Sequence, residues 1–354
     1  MNARAMVITL ASLLLGAPDP GTAQGFAGLG TDAEGFAVPQ RGTPLAFPKD
    51  HGAHPDYRIE WWYLTATLDG ADGQEYGVQW TLFRSALAPS EAEGWDSPQV
   101  WMGHAGLTTA EAHFSAERFA RGGTGQAGVT IDPFVAHIDD WHMISRAAEG
   151  ADAYDALRAH ARGADFSFDL DFDAEGPLVK HGDDGYSMKS AEGQASYYYS
   201  QPFYRVTGTL HLPDGPVEVT GQGWLDREWS SQPLAEDQAG WDWVSLSFDD
   251  GHRMMGFQLR GTQTFTAGTW ITPSGDPTPL PDGALRFTPL AHTQIDARRV
   301  PTSWRIEWPE GELDIETEPL NPRAWMDLSI SYWEGPLRFS GSHSGRGYLE
   351  MTGY

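Results

Sequence analysis

The sequence predicts an all-β protein built as two tandem antiparallel β-barrels. The chain has 354 residues, enough for two domains. It holds 41 Gly and 24 Pro, too many for a helical protein of this size. Its 15 Trp, 12 Tyr and 16 Phe complete a turn-rich, aromatic-rich composition of the kind that forms sheets. The third observation is a repeat. Residues 61–70 read WWYLTATLDG and residues 241–250 read WDWVSLSFDD. Stacked, Trp61 matches Trp241, Tyr63 matches Trp243, Thr65 and Thr67 match Ser245 and Ser247, and Asp69 matches Asp249. Each segment is followed by a turn and a second strand, closing on Phe83-Arg84 and on Leu259-Arg260. One hairpin occurring twice predicts two related β-domains. Closing each into a barrel removes exposed sheet edges and leaves an interior able to hold one apolar ligand.

The elements follow in chain order. Arg4 and the apolar run 5–16, AMVITLASLLLG, have the form of a signal peptide, with small residues Gly21-Thr22-Ala23 placing cleavage after Ala23. Residues 1–23 are thus expected to direct export, and the mature protein is expected to be periplasmic or secreted. There is no Cys, so neither disulfides nor a lipid-anchored cysteine is available. Residues 24–45 are Gly-, Ala- and Pro-rich and read as a flexible leader. From Tyr57 onward short β-branched and aromatic runs alternate with Gly, Pro and Asp: 74–84, 99–109, 165–172, 204–212, 217–225 and more after them. Residues 151–161 fit a short helix, and 154–159 also fit a strand. The domain boundary falls in the acidic, Pro-containing stretch 232–238, giving domains over 46–232 and 238–354. The net charge of −26 repels the phosphate backbone of nucleic acid and anionic membrane surfaces, and no stretch after the signal is apolar enough to insert stably in a bilayer.

Chemistry is expected in three segments. In the first, 50–68, His51 and His54 have H-x-x-H spacing, but Gly52 and Pro55 make the segment a turn. Turn histidines bonded to backbone or carboxylates are then favoured over a metal pair, and no metal or cofactor is expected. In the strand that follows, Glu60, Trp62, Leu64, Ala66 and Leu68 share the face that turns apolar and therefore points inward. A desolvated Glu60 would carry a raised pKa, while an arginine partner would hold it ionised. In the second segment, GQGWLDREWSSQ at 221–232, Trp224, Asp226 and Glu228 share one face. Two carboxylates that close raise one another's pKa, and a protonated acid beside aromatic faces is what alkene protonation requires. The alternative is a junction strand with surface acids and an anchoring Trp. In the third segment, 331–354, glycines flank His343 and Arg346 without P-loop spacing; a turn into a closing strand over 348–354 puts His343 near a barrel mouth. No G-x-S-x-G elbow or thiol nucleophile points to hydrolysis.

Four stretches together resemble one family: FPKDHGAHPDYRIEWWYLTATL at 47–68, SYYYSQPF at 196–203, GQGWLDREWSSQPL at 221–234 and SGRGYLEMTGY at 344–354. They resemble the AttH/CrtC-type secreted lipocalin-like proteins, relatives of carotenoid 1,2-hydratases, and lie nearer the AttH side, whose members are described as predicted secreted hydrolases. The resemblance implies two lipocalin-like barrels enclosing an apolar, isoprenoid- or lipid-like molecule. It also implies hydro-lyase chemistry, with Asp226 as proton donor and Trp224 as its aromatic partner. Glu60 is the second acid-base candidate. Trp62, Tyr63, Trp229, Arg227, Glu228 and His343 are expected at the ligand, and His51, His54 and His104 near its water. Where this family commonly has His after the aspartate, this chain has Arg227, whose guanidinium would favour an ionised Asp226 if it faced it; strand alternation points it away. A reading of a different class is a non-catalytic lipid carrier working with a lipoprotein-release-type ABC transporter permease. A glycan-binding β-protein is a third.

Overall fold

The computed structural model describes residues 34–354 apart from Glu91, Pro233 and Glu236. The expected signal peptide, 1–23, and residues 24–33 of the expected leader lie outside the described residues. The first sheet has thirteen strands. They are β1 (Ile59–Gly70), β2 (Glu75–Ala86), β3 (Gln99–Thr108), β4 (His113–Arg121), β5 (Ala127–Ile131), β6 (Phe134–Ile138), β7 (Trp141–Ser145), β8 (Ala156–Arg162), β9 (Ser167–Ala174), β10 (Val179–Lys180), β11 (Tyr186–Met188), β12 (Ala195–Leu212) and β13 (Gly215–Ser230). The second has ten: β14 (Gly240–Phe248), β15 (Arg253–Arg260), β16 (Phe265–Ile271), β17 (Pro277–Leu280), β18 (Arg286–Ile295), β19 (Arg298–Trp308), β20 (Leu313–Pro319), β21 (Trp325–Met326), β22 (Tyr332–Gly341) and β23 (Gly345–Met351). Among the described residues there is no α-helix, so none that could cross a membrane. Over 151–161 the strand reading holds: a single 3-10 turn at Ala153–Asp155 leads straight into β8.

The two sheets repeat one topology. The first runs β4-β3-β2-β1-β13-β12-β9-β8-β7-β6-β5, with β10 and β11 also on β12. The second runs β17-β16-β15-β14-β23-β22-β20-β19-β18, with β21 on β22. In each, the opening strand pairs with its hairpin partner on one side and with the last strand of its own sheet on the other. The first sheet curls until β2, β3 and β4 meet β6, a nearly closed antiparallel barrel. The predicted all-β class of two tandem lipocalin-like barrels holds.

Strand β1 is buried on both faces, because one lines a barrel and the other lies against the second sheet. Trp62, Leu64, Ala66 and Leu68 enter the first barrel's core with Trp80, Leu82 and Trp141. Tyr63 packs on the opposite side with Tyr198, Trp224, Trp243, Phe257 and Tyr348, a separate core formed between the sheets. The sheets come close enough that Gly77 of β2 has no room for a side chain: a Cβ there would sit 2.4 Å from the Pro336 ring on β22.

Candidate functional site

Strand β13 sorts its residues by parity. Trp224, Asp226 and Glu228 face the second sheet, while Arg227 and Trp229 enter the first barrel. The Asp226 carboxyl is fully buried and held by donors from its own domain. Trp224 Nε1 donates to Oδ1 at 2.6 Å, Ser200 Oγ donates to the same oxygen, and the Tyr198 hydroxyl donates to Oδ2 at 2.8 Å. A carboxylate offers about four acceptor positions, so three donors leave one. Burial pushes the Asp226 pKa up to about 7, against the pull of those three donors, and the nearby Glu228 adds to the rise. Behind Ser200 the chain of hydrogen bonds continues across the domain boundary. His181 Nε2 lies 2.6 Å from Ser200 Oγ, and its Nδ1 lies 2.9 Å from Thr269 Oγ1 on β16. Burial, aided by the charge of Lys189, drives the His181 pKa down to about 3, so the ring is neutral at physiological pH.

Asp226 borders a cavity of about 90 Å³ between the two sheets. Its walls are mostly aromatic and aliphatic: Trp61, Tyr63, Phe83, Trp241, Trp243 and Phe257 dominate. The repeated hairpins meet here. Tyr63 and its echo Trp243 touch edge to face with centroids 5.2 Å apart. Trp61 and its echo Trp241 are only half-buried, as are Leu234 and Ser85, and they mark where the lining reaches solvent. Trp243 Nε1 donates to the Tyr198 hydroxyl at 3.1 Å, so the second domain braces the ring that holds Asp226. The rest of the polar lining is Lys189, Glu228 and Glu350, with the Glu60–Arg84 pair at one edge. Lys189 Nζ pairs with Glu228 at 2.7 Å and lies over the Tyr198 and Phe257 rings, so its charge is neutralised in place.

Removing one of these donors gives a direct test of the site's electrostatics. Ser200→Ala takes away one of the bonds that pull Asp226 down, so its titration midpoint should rise by about one pH unit. Carbon NMR of labelled aspartate reads this, and an unmoved midpoint would mean that Ser200 does not hold the carboxyl.

The cavity gathers Asp226, Glu60, Glu228 and Tyr63 from the expected set, and Trp224 touches it through Asp226. Glu60 is on the inward face as expected, yet it is no proton donor. Burial alone would raise its pKa, but Arg84 and Arg227 outweigh burial and hold it well below the usual carboxylate range. Arg227 leaves Asp226 to its own donors. Its guanidinium lies 3.8 Å over the Trp62 ring, bonds Glu60, and donates to the carbonyls of Gly52, Trp61 and Glu228. Trp62 and Trp229 therefore pack around Arg227 inside the first barrel and do not shape the cavity. His51 and His54 close the end of that barrel. His51 bonds the Tyr199 hydroxyl at 2.7 Å and Asp152 at 3.1 Å; His54 bonds Glu60 and Asp50 and stacks on Trp229. His104 lies between the sheets, bonded to the Tyr332 hydroxyl at 3.0 Å, but does not border the cavity. His343 sits at the β22–β23 turn against Phe248 and Trp270, also away from it.

The residues that sequence reasoning passed over are Tyr198, Ser200, His181, Lys189, Glu334 and Glu350. Tyr198 and Ser200 lie in SYYYSQPF, a stretch noticed for its likeness and not for its parity. Glu350 shares a strand face with Tyr348, and extending the hairpin repeat to each domain's last strand would have matched it with Asp226.

Comparison with known proteins adds the following. A family model described as AttH-like matches residues 38–354. The crystal structure of an AttH from Nitrosomonas europaea is similar over 90% of this chain and 100% of that one, at 32% identity and a TM-score of 0.79. Kievitone hydratase from Nectria haematococca is similar over 90% of this chain and 98% of its own, with a TM-score of 0.67 and 15% identity, which shows a shared fold. No curated protein matches the chain in sequence.

Proposed function

Since this chain belongs to the AttH-like family, we propose that it receives the unsaturated end of an apolar, isoprenoid- or lipid-like molecule between its two domains and adds water across a double bond there. One observation carries this reading: a carboxyl with a pKa near 7, fully buried, faces an aromatic cavity with one acceptor position to spare. Asp226 in its acid form would give its proton to the alkene. The carbocation left behind would lie among the π-faces of Trp61, Tyr63, Trp241 and Trp243, which stabilise positive charge. A cavity of about 90 Å³ suits the end of a chain and not a whole polyene, so a long substrate would extend out past Trp61 and Trp241. That a hydratase shares the fold makes hydration a chemistry this architecture can host. The working compartment we propose is the periplasm or the exterior, on the strength of the N-terminal apolar run.

The test is incubation of the purified protein with a membrane lipid extract in heavy-oxygen water, followed by mass spectrometry. A lipid that gains one labelled water supports the reading. A lipid bound unchanged favours a carrier. Asp226→Asn should lower the rate by about 10²–10⁴-fold, and activity should fall as pH rises through about 7, where Asp226 loses its proton. An Asn variant that hydrates at the normal rate would sink the acid role.

A further inference from the structure

The hairpin repeat has a second acid in it. On β1 and β13, Tyr63 is directly opposite Asp226; on β14 and β23, Trp243 is directly opposite Glu350. Tyr63 and Trp243 are equivalent in the repeat and touch each other. Asp226 and Glu350 are therefore equivalent positions that reach one cavity from opposite sheets. One strand further out the two domains differ. Ser200 is opposite Asp226, but Glu334 is opposite Glu350. The second domain thus carries two carboxyls face to face, Glu334 with no exposed surface and Glu350 half-buried at the cavity.

Their donors are too few for two charges. Trp241 Nε1 donates to Glu350 Oε1, and the Tyr63 hydroxyl donates to Glu334 Oε1 at 2.6 Å. Glu334 Oε2 is buried and meets no N–H or O–H donor, so the group left to satisfy it is the Glu350 carboxyl. Two carboxyls this close, with so few donors, share one proton. The other ionisable groups acting on the pair are Asp226, Glu228, Tyr63, Tyr332 and Tyr348, all acidic in type, with Lys189 tied to Glu228. Burial first, and then the charge of Glu350, raise Glu334 well above its ordinary value; burial, with the charges of Asp226 and Glu228, raises Glu350 to about 7 against the bonds from Trp241 and Glu334.

We propose that Glu350, sharing a proton with Glu334, is the base of this cavity: it takes the proton that water releases as it adds to the substrate. The inference rests on the hydration reading above. The steps balance. The alkene π-electrons bond the Asp226 proton, leaving a carbocation and the Asp226 carboxylate. A water lone pair forms the C–O bond, and the proton this water gives up goes to Glu350, leaving both glutamates neutral. One proton then passes from the pair to Asp226, so the sum is alkene plus water to alcohol. Glu350 is a catalytic residue in this scheme, and Glu334 a positioning residue that sets its basicity.

The test uses the full chain and the same membrane lipid extract, now in deuterium oxide. Asp226→Asn should lose both water addition and the deuterium that reversible protonation washes into recovered alkene. Glu350→Gln should slow water addition by about 10²-fold yet keep the deuterium wash-in, and Glu350→Asp should recover part of the rate. Infrared titration of protonated carboxyls gives a readout that needs no substrate. Wild type should show two groups titrating near neutrality, one missing in Asp226→Asn and the other in Glu350→Gln, while Glu334→Met, which removes the bond that pulls Glu350 down, should move the Glu350 transition to higher pH. No addition of water to any lipid by the wild type would overturn the hydration reading. Full-rate water addition by Glu350→Gln, or an infrared titration that this change leaves untouched, would overturn the role of Glu350 alone.

Discussion

Replacing Glu60 by Gln should lower the unfolding free energy at pH 7 by about 3–5 kcal/mol, the usual loss when one partner of a buried ion pair is removed. Glu60 has no exposed surface and lies between Arg84 and Arg227, themselves buried. The His54 backbone N–H donates to its Oε1 at 2.8 Å. Gln keeps the shape but leaves two guanidinium charges in the barrel with no counter-charge. The arginines have further duties: Arg84 bonds the carbonyls of His54 and Tyr57 at 2.7 and 2.8 Å, and Arg227 bonds that of Gly52. The loss should therefore include the 52–57 segment that caps the barrel. The pH dependence has a definite sign. The folded pKa of Glu60 lies below its unfolded value, so its contribution is present above about 4.5 and is lost as pH falls through the folded value. Urea unfolding of both proteins should show a large gap at pH 7 that narrows in acid. A gap under about 1 kcal/mol at pH 7 would mean the charges are compensated elsewhere.

Asp226→Asn should change stability with the opposite sign. The folded pKa of Asp226, about 7, lies above the ordinary 3.8. Its stabilising contribution is complete below the lower value and is lost as pH rises to the higher one. Between these values the wild type forfeits about 4 kcal/mol that an uncharged side chain keeps. The amide gives back part of this, because its nitrogen cannot accept from one of the three donors, a cost of about 1–3 kcal/mol. The two stability curves should therefore cross: the Asn variant less stable at pH 4 and more stable, by about 1–3 kcal/mol, at pH 8. Denaturant midpoints at the two pH values decide it. A variant less stable at both would mean that Asp226 is comfortable as an ion in the folded protein.

Period-two alternation was enough to place Trp224, Asp226 and Glu228 together, to send Arg227 the other way, and to put Glu60 on the inward face. It was not enough to tell what each face meets. On β1 and β13 both faces are buried, one in the first barrel and one between the sheets, and their apolar patterns look alike. That is why Trp62 and Trp229 looked like pocket walls. The state of Glu60 depended on register, since Arg84 and Arg227 come from strands on either side of it. The hairpin repeat told more than its ten-residue span, because the strands that pair with it carry the equivalence on to Asp226 and Glu350.

The half-buried pair Trp61 and Trp241, one from each copy of the hairpin, has a further consequence. Neither copy owns a finished pocket: each brings one gatepost, at least one acid and part of the wall. Cut within 231–239, where one sheet has ended and the other has not begun, the chain would become two pieces, neither of which should carry the proposed chemistry until the two are reunited. The molecule is in that sense a logical AND, with both inputs carried on one chain.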